Sequence, residues 1–374
     1  MPGAAGGEDT SVAFVGGLEL SRRFHAELVA PILAAALPGL RYSAARLDFG
    51  SDLLGFDTPR STDHDWGPRL QIFLDPADAE RVPAVLAAIG ARLPAAFLGY
   101  PTRFAAHGAL AVGVPDPVGE RHGVSVLPLD SWLAGRLGFD PRAGVTPADW
   151  LGLPTQRLAE VTGGGLFQDD LGVAAIRERL RWYPDDVWRC VLAALWHRIG
   201  DEEHFVGRAG EVGDEVGSAV IAARLVRDLM RLCLLLGRRY PPYAKWLGSA
   251  FGRLPVAATL GPVLTRAVTA AAWREREAHL CRAYEAVARL TNTAGLARPL
   301  DPTVRGFHDR PFQVLDAARF AGALRAAVAD PAVRALGAGG AIDAVTDNSG
   351  VLTDFRQSRA IMDGLWGTPP PNDR

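Results

Sequence analysis

Residues 50–67 read GSDLLGFDTPRSTDHDWG and run through Pro68 into RLQIFL at 69–74. Glycine and serine come first, a spacer follows, and two aspartates, Asp63 and Asp65, stand one residue apart. Read as TDHDWGPRLQIFL, the second half is a β-strand, with Gly67-Pro68 marking a bulge or an edge position. Side chains two apart on a strand share a face, so Asp63 and Asp65 project together while His64 and Trp66 point the other way. Two carboxylates held that close repel unless a cation lies between them. A hard divalent ion such as Mg2+ or Mn2+, taking one or two carboxylates and substrate phosphates, suits the pair. A solvated turn with two aspartates is the plainer alternative, and Gly50-Ser51 weighs against it. Glycine at a strand end lets backbone approach a ligand, N–H groups at a helix start favour phosphate, and the Ser51 hydroxyl adds a donor. A phosphate cradle ahead of a metal-binding pair is the layout that holds a metal-bound nucleoside triphosphate.

The flanking segments set that stretch in a small domain. LRYSAARLDFG (40–50) reads as a strand ending at glycine, SDLLGF as a short helical turn, and RHGVSVLPL (121–129) as a third strand followed by the helical DSWLAGRL. Helical spacing covers 18–37, with a kink at Pro31, and 76–93, with Pro76 in the first turn. This alternation of strands and helices spans about 15–145, after a leader over 1–14 that reads as disordered. Beyond 150 the β signal disappears, and helical patterns at 184–199, 212–236 and 262–293 make a second domain over 150–330. The rest, 331–374, is an Ala/Gly-rich extension whose end, GTPPPNDR, is expected to be disordered. The expected class is α+β, with a small sheet domain followed by a mainly α-helical one.

Bulk properties narrow the function. At 374 residues two or more domains are expected, and a formal charge of −2 argues against generalised nucleic-acid binding. No uncharged apolar run reaches about 18 residues, so no membrane partner is expected. Cys190, Cys233 and Cys281 form neither a disulfide framework nor a zinc spacing, which points to a reducing, cytoplasmic setting. Of 40 basic residues a single one is lysine, Lys245. A site that needs a compact ammonium on a flexible stem resists replacement by arginine. No G-x-S-x-G elbow, Walker A loop or Rossmann glycine pattern occurs, so hydrolase and dinucleotide readings lack support.

Gly50, Ser51, eleven intervening residues, then Asp63, His64 and Asp65 resemble the signature of nucleotidyltransferases with the DNA polymerase beta fold. The fuller string GSDLLGFDTPRSTDHDWGPRLQIFL is similar to an uncharacterised bacterial group of that superfamily. So are VGRAGEVGDEVGSAVIAARLVRDLMRLC and YPPYAKWLGSAF further on. The resemblance implies a small mixed-sheet nucleotidyltransferase domain and a helical domain like that of the aminoglycoside-modifying members. It also implies a third acid on the next core strand, completing the metal site or acting as general base. That strand here is HGVSVLPLD, which places Ser125 at the expected position and Asp130 five residues on; Glu202 and Glu203 are further substitutes.

A second constellation lies in the helical part. Between 224 and 253 the charged residues are Arg224, Arg227, Asp228, Arg231, Arg238, Arg239, Lys245 and Arg253. As a group they suit a wall facing a triphosphate, and Arg224 and Asp228, four apart, can pair. The resemblance makes Lys245 a phosphate contact, with Arg224 or Arg227 beside it and Tyr243 stacking on the base or bounding the pocket. The expected activity is Mg2+-dependent transfer of a nucleotidyl group from a nucleoside triphosphate to a hydroxyl of an unidentified small molecule or protein. Its alternative is a catalytically silent nucleotide-binding or regulatory protein.

Overall fold

The computed structural model describes residues 14–63, 66–104, 121–336 and 339–367. The leader expected at 1–14 lies, but for Phe14, outside the described residues, as does the last stretch of the tail. Within them the chain forms two compact units. One takes in residues up to 136 together with 160–178, the other 137–159 and everything from 179 onward.

The first unit is built on a four-stranded sheet. Its helices begin with α1 (Gly17–Phe24) and α2 (Ala30–Ala36), joined by a π-helical turn, His25–Val29. Pro31 lacks the N–H that would continue the regular ladder, and the irregular turn sits one turn ahead of it. Strand β1 (Tyr42–Arg46) pairs antiparallel with β2 (Leu70–Leu74), and α3 (Val82–Arg92) follows. A short hairpin of β3 (Ala96–Phe97) and β4 (Tyr100–Pro101) comes next, and β5 (Arg103–Phe104) pairs antiparallel with β6 (Arg121–His122). Strand β7 (Val124–Pro128) then pairs parallel with β2 and leads into α4 (Leu129–Arg136).

The sheet order is β7-β2-β1-β8, and its fourth member, β8 (Gly165–Asp169), corrects the expectation that β structure ends before 150. GGGLFQDD holds few apolar residues and three glycines, so it carries little strand signal of its own. Pairing with β1 makes it a strand. The mixed sheet and the helical remainder make the fold α+β. One face, with Tyr42, Ala44, Leu70, Ile72, Leu74, Val124 and Val126, packs on Leu20, Phe24, Leu33, Val85 and Ile89. The other carries Ser43, Gln71 and Ser125 and meets α4 where Phe73 lies 5.0 Å from Trp132.

The second unit is helical. It contains α5 (Pro147–Gly152) and most of α6 (Thr155–Thr162), whose last turn belongs to the first unit, as does most of α7 (Val173–Arg179). Next come α8 (Asp185–Glu202), α9 (Phe205–Glu211), α10 (Glu215–Leu236) and α11 (Ala244–Gly252). The single helix expected over 262–293 is two, α12 (Ala257–Thr269) and α13 (Trp273–Thr293). The break falls in an alanine-rich link at 270–272, where nothing in the sequence punctuates the pattern. A hairpin of β9 (Arg305–Gly306) and β10 (Gln313–Val314) precedes α14 (Ala318–Ala326). Trp196 of α8 is fully buried and stacks on Phe320 at 5.2 Å.

The segment expected as an extension is part of this unit. It forms α15 (Pro331–Ala335), α16 (Ile342–Val345), α17 (Ser349–Thr353) and α18 (Phe355–Trp366), around Ile342, Leu352 and Met362. No helix among the described residues is long and apolar enough to cross a membrane.

Candidate functional site

The chain leaves β1 at Leu47 and is held almost residue by residue until Asp52. Leu47 N–H donates to Gln71 Oε1 at 2.8 Å, from the neighbouring strand. Arg136 donates to the Asp48 carbonyl and also pairs with the Asp48 carboxylate at 3.3 Å and with Glu160 at 2.7 Å. Arg46 donates to the Phe49 carbonyl at 2.6 Å and makes a two-pronged pair with Asp52 at 2.9 and 3.0 Å. The Ser51 carbonyl accepts from Phe56 N–H at 2.8 Å, and the Arg69 guanidinium lies 4.6 Å from the Phe49 ring centroid. All three arginines are buried, as are Asp48, Asp52 and Glu160, so cations and carboxylates balance beneath the loop.

What these anchors leave open is informative. The N–H groups of Gly50 and Ser51 and the Ser51 hydroxyl make no hydrogen bond among the described residues, and both residues are half-buried. Gly50 has φ +138°, and a Cβ there would overlap Asp52 Oδ1 and lie 2.6 Å from Arg46 Nη2. Only glycine lets the loop lie this close to the buried pair. The short helical turn expected after it is a 3-10 turn, Asp52–Leu54, one turn long and too short for a helix dipole to matter.

The aspartate pair departs from the strand expected of it. Strand β2 starts at Leu70, and Pro59–Asp63 form a second 3-10 turn. Asp63 ends that turn; its side chain, like the whole of His64 and Asp65, lies outside the described residues. Alternation along a strand therefore does not set their common direction. Trp66, next in sequence, is pinned. Its indole N–H donates to Asp57 at 3.2 Å, Asp57 also accepts Gly17 N–H at 2.7 Å, and the ring stacks on Phe14 at 5.5 Å. Gly67, with φ +147°, turns the chain toward β2. Among the described residues no three His, Cys, Asp or Glu side chains gather as a metal site.

Ser125 is in β7, in register with Gln71 of β2, and its buried hydroxyl has no hydrogen-bond partner among the described residues. Asp130 is exposed in the first turn of α4, past the end of that strand. Of the other substitute acids, Glu202 pairs with Arg224, and Glu203 is buried with its two oxygens accepting Leu315 and Ala317 N–H at 2.7 and 2.9 Å. Burial pushes the Glu203 carboxyl up to about 7 against the pull of those two N–H groups.

The arginine row of α10 is largely neutralised within its own unit. Arg224 meets Glu202 at 2.7 Å rather than Asp228, because Asp228 faces Arg198 at 3.2 Å and Arg227 at 3.4 Å. Arg227 also pairs with Asp347, and Arg231 with Asp343 at 3.0 Å. Asp228 belongs to α10 itself and Glu202 ends α8, while Asp343 and Asp347 come from the C-terminal segment, too distant in sequence to be foreseen. Lys245 is exposed in the first turn of α11, with its ammonium 4.9 Å from the Trp246 ring. Tyr243, half-buried, precedes that helix, and its N–H donates to Gln156 at 3.0 Å.

Sequence reading missed the anchoring set Arg46, Asp48, Asp52, Asp57, Arg136 and Glu160. An arginine closing the buried strand YSAAR is a local signal for Arg46; no local signal exists for Arg136 with Glu160. Residues 150–247 match a family model described as a domain of unknown function, DUF4037. No curated protein and no solved structure matches the chain.

Proposed function

We propose that the chain is a nucleotidyltransferase. It binds a nucleoside triphosphate at the loop that follows β1 and passes the nucleotidyl group to an acceptor hydroxyl of a small molecule or protein. The acceptor oxygen bonds to the α-phosphorus, the bond to the β-phosphate breaks, and pyrophosphate leaves. The observation that supports this reading most is the anchored loop itself. The Asp48 and Phe49 carbonyls and the Asp48 and Asp52 carboxylates are engaged by Arg136 and Arg46, while the Gly50 and Ser51 N–H groups and the Ser51 hydroxyl are unengaged among the described residues. Donors held rigid without an internal partner suit phosphate oxygens, which accept strongly and carry charge. Asp63 and Asp65 supply hard oxygen donors, the set that Mg2+ takes, and the bound ion would neutralise phosphate charge. Calorimetry tests this: Asp63→Ala abolishes Mg2+-dependent ATP or GTP binding, and unchanged affinity overturns the proposal.

A second reading is favoured by Ser125. The strand position where the superfamily carries its third acid holds a hydroxyl, and Asp130 lies beyond the strand end. A protein that binds nucleotide without transferring it fits that arrangement. Incubation with α-labelled triphosphates and candidate acceptors separates the two: label on the acceptor with pyrophosphate release marks the enzyme, saturable binding without turnover the sensor. Intact-mass measurement after incubation with ATP reveals transfer to the protein itself.

A further inference from the structure

Four rings form a continuous series on the helical unit. Phe205 meets His204 edge-on at 4.5 Å, His204 stacks on Phe307 at 4.4 Å and 17°, and Phe307 meets His308 edge-on at 4.6 Å. Phe205 is 39% exposed, and His308 is exposed with φ +53°, a left-handed conformation uncommon outside glycine. His308 sits in the turn between β9 and β10, where Arg310 N–H donates to the Phe307 carbonyl at 3.0 Å.

Beside the turn lies a hollow of about 430 Å3 lined by Arg208, Phe307, His308, Asp309 and Arg310. Arg208 and His308 have no ion-pair partner among the described residues, and Arg310 has one long contact, 3.7 Å to Glu211. Two guanidinium groups and an imidazole thus face a single lining carboxylate, next to aromatic surface that the core does not use. Guanidinium forks match phosphate oxygens, and a flat ring binds by stacking on an aromatic face.

We propose that this hollow binds a phosphorylated ligand with a planar ring, with Arg208 and Arg310 on the phosphate and Phe307 against the ring. The site is independent of the Asp63–Asp65 reading and needs no metal. Hydrogen exchange read by mass spectrometry on the full chain tests it, with millimolar AMP in EDTA so that metal-dependent binding elsewhere is suppressed. Exchange slows in segments 204–211 and 305–312, and the effect disappears in the Arg208→Gln, Arg310→Gln double variant. Both side chains are exposed, so the variant keeps its fold, which its unchanged exchange elsewhere verifies. Ribose 5-phosphate binds about tenfold more weakly than AMP, having no ring to stack, and adenosine gives no protection. Unchanged exchange in both segments with AMP, or equal slowing in the double variant, overturns the site. Ribose 5-phosphate as effective as AMP removes the ring from the proposal, and adenosine as effective as AMP removes the phosphate.

Discussion

Gly50 and Ser51 are neighbours with opposite tolerances. A side chain at Gly50 meets the Arg46–Asp52 pair at a backbone angle that disfavours any Cβ, so Gly50→Ala costs about 1–3 kcal/mol of stability in urea unfolding. Ser51→Ala removes a hydroxyl without a hydrogen-bond partner among the described residues and leaves stability within about 0.5 kcal/mol. On the proposed function, the same change is expected to weaken ATP binding roughly tenfold, the loss expected of one hydrogen bond to a charged group. Wild-type affinity in Ser51→Ala would remove Ser51 from the cradle. Glu203 gives the molecule a pH dependence of unusual sign. Its folded carboxyl titrates near 7 rather than 4.5, so the folded state binds the proton more tightly than the unfolded chain. Stability from this group is full below about 4.5 and declines as pH rises through 7, by on the order of 3 kcal/mol. Glu203→Gln flattens that slope in unfolding curves taken between pH 4.5 and 8, at the cost of one of its two backbone hydrogen bonds. The Gly-Ser pair was legible because backbone permissiveness is written in one letter. The guanidinium groups beneath it were not, since Arg136 reaches Asp48 across 88 residues.

Among the elements, α10 shows how a correct pattern yields a different role. Its periodicity was plain in the sequence, as were its arginines, but Arg227 and Arg231 find partners in Asp347 and Asp343, more than a hundred residues on. Asp343 accepts from Thr155 N–H and hydroxyl, both at 2.8 Å, and from Arg231, and it is 6% exposed. Arg198 reaches the Ala344 carbonyl at 2.7 Å, Arg157 the Thr353 carbonyl at 2.6 Å, and Arg227 pairs with Asp347. The C-terminal helices are thus fastened by ionic contacts around a small apolar cluster. Asp343→Ala leaves Arg231 buried without its counter-charge and costs about 3–5 kcal/mol, read as a lowered melting temperature. Asp347→Ala, at an exposed pair, costs no more than about 1 kcal/mol. An alanine-rich tail gave no hint of this, because an acid that anchors and one that merely solvates look alike until the partner is known.

At the scale of the molecule, the sheet unit is discontinuous in sequence, which a single boundary near 145–150 does not capture. Residues 1–145 expressed alone lack β8, so β1 presents an open edge to other chains. That fragment is expected to elute as aggregate in size-exclusion chromatography, whereas the full chain does not. The same discontinuity has a consequence in time. Ser43 of β1 hydrogen-bonds to Asp169 at the end of β8, 126 residues later. At a synthesis rate of about 5–20 residues per second, β1 waits roughly 6–25 s for that partner to be made. Once β7 has been made, at 124–128, and until β8 follows at 165–169, the ribosome carries a three-stranded sheet with one unprotected margin. The nascent chain is most exposed to mispairing while the residues between α4 and β8 are being added, so codon speed across that stretch bears on the yield of folded protein.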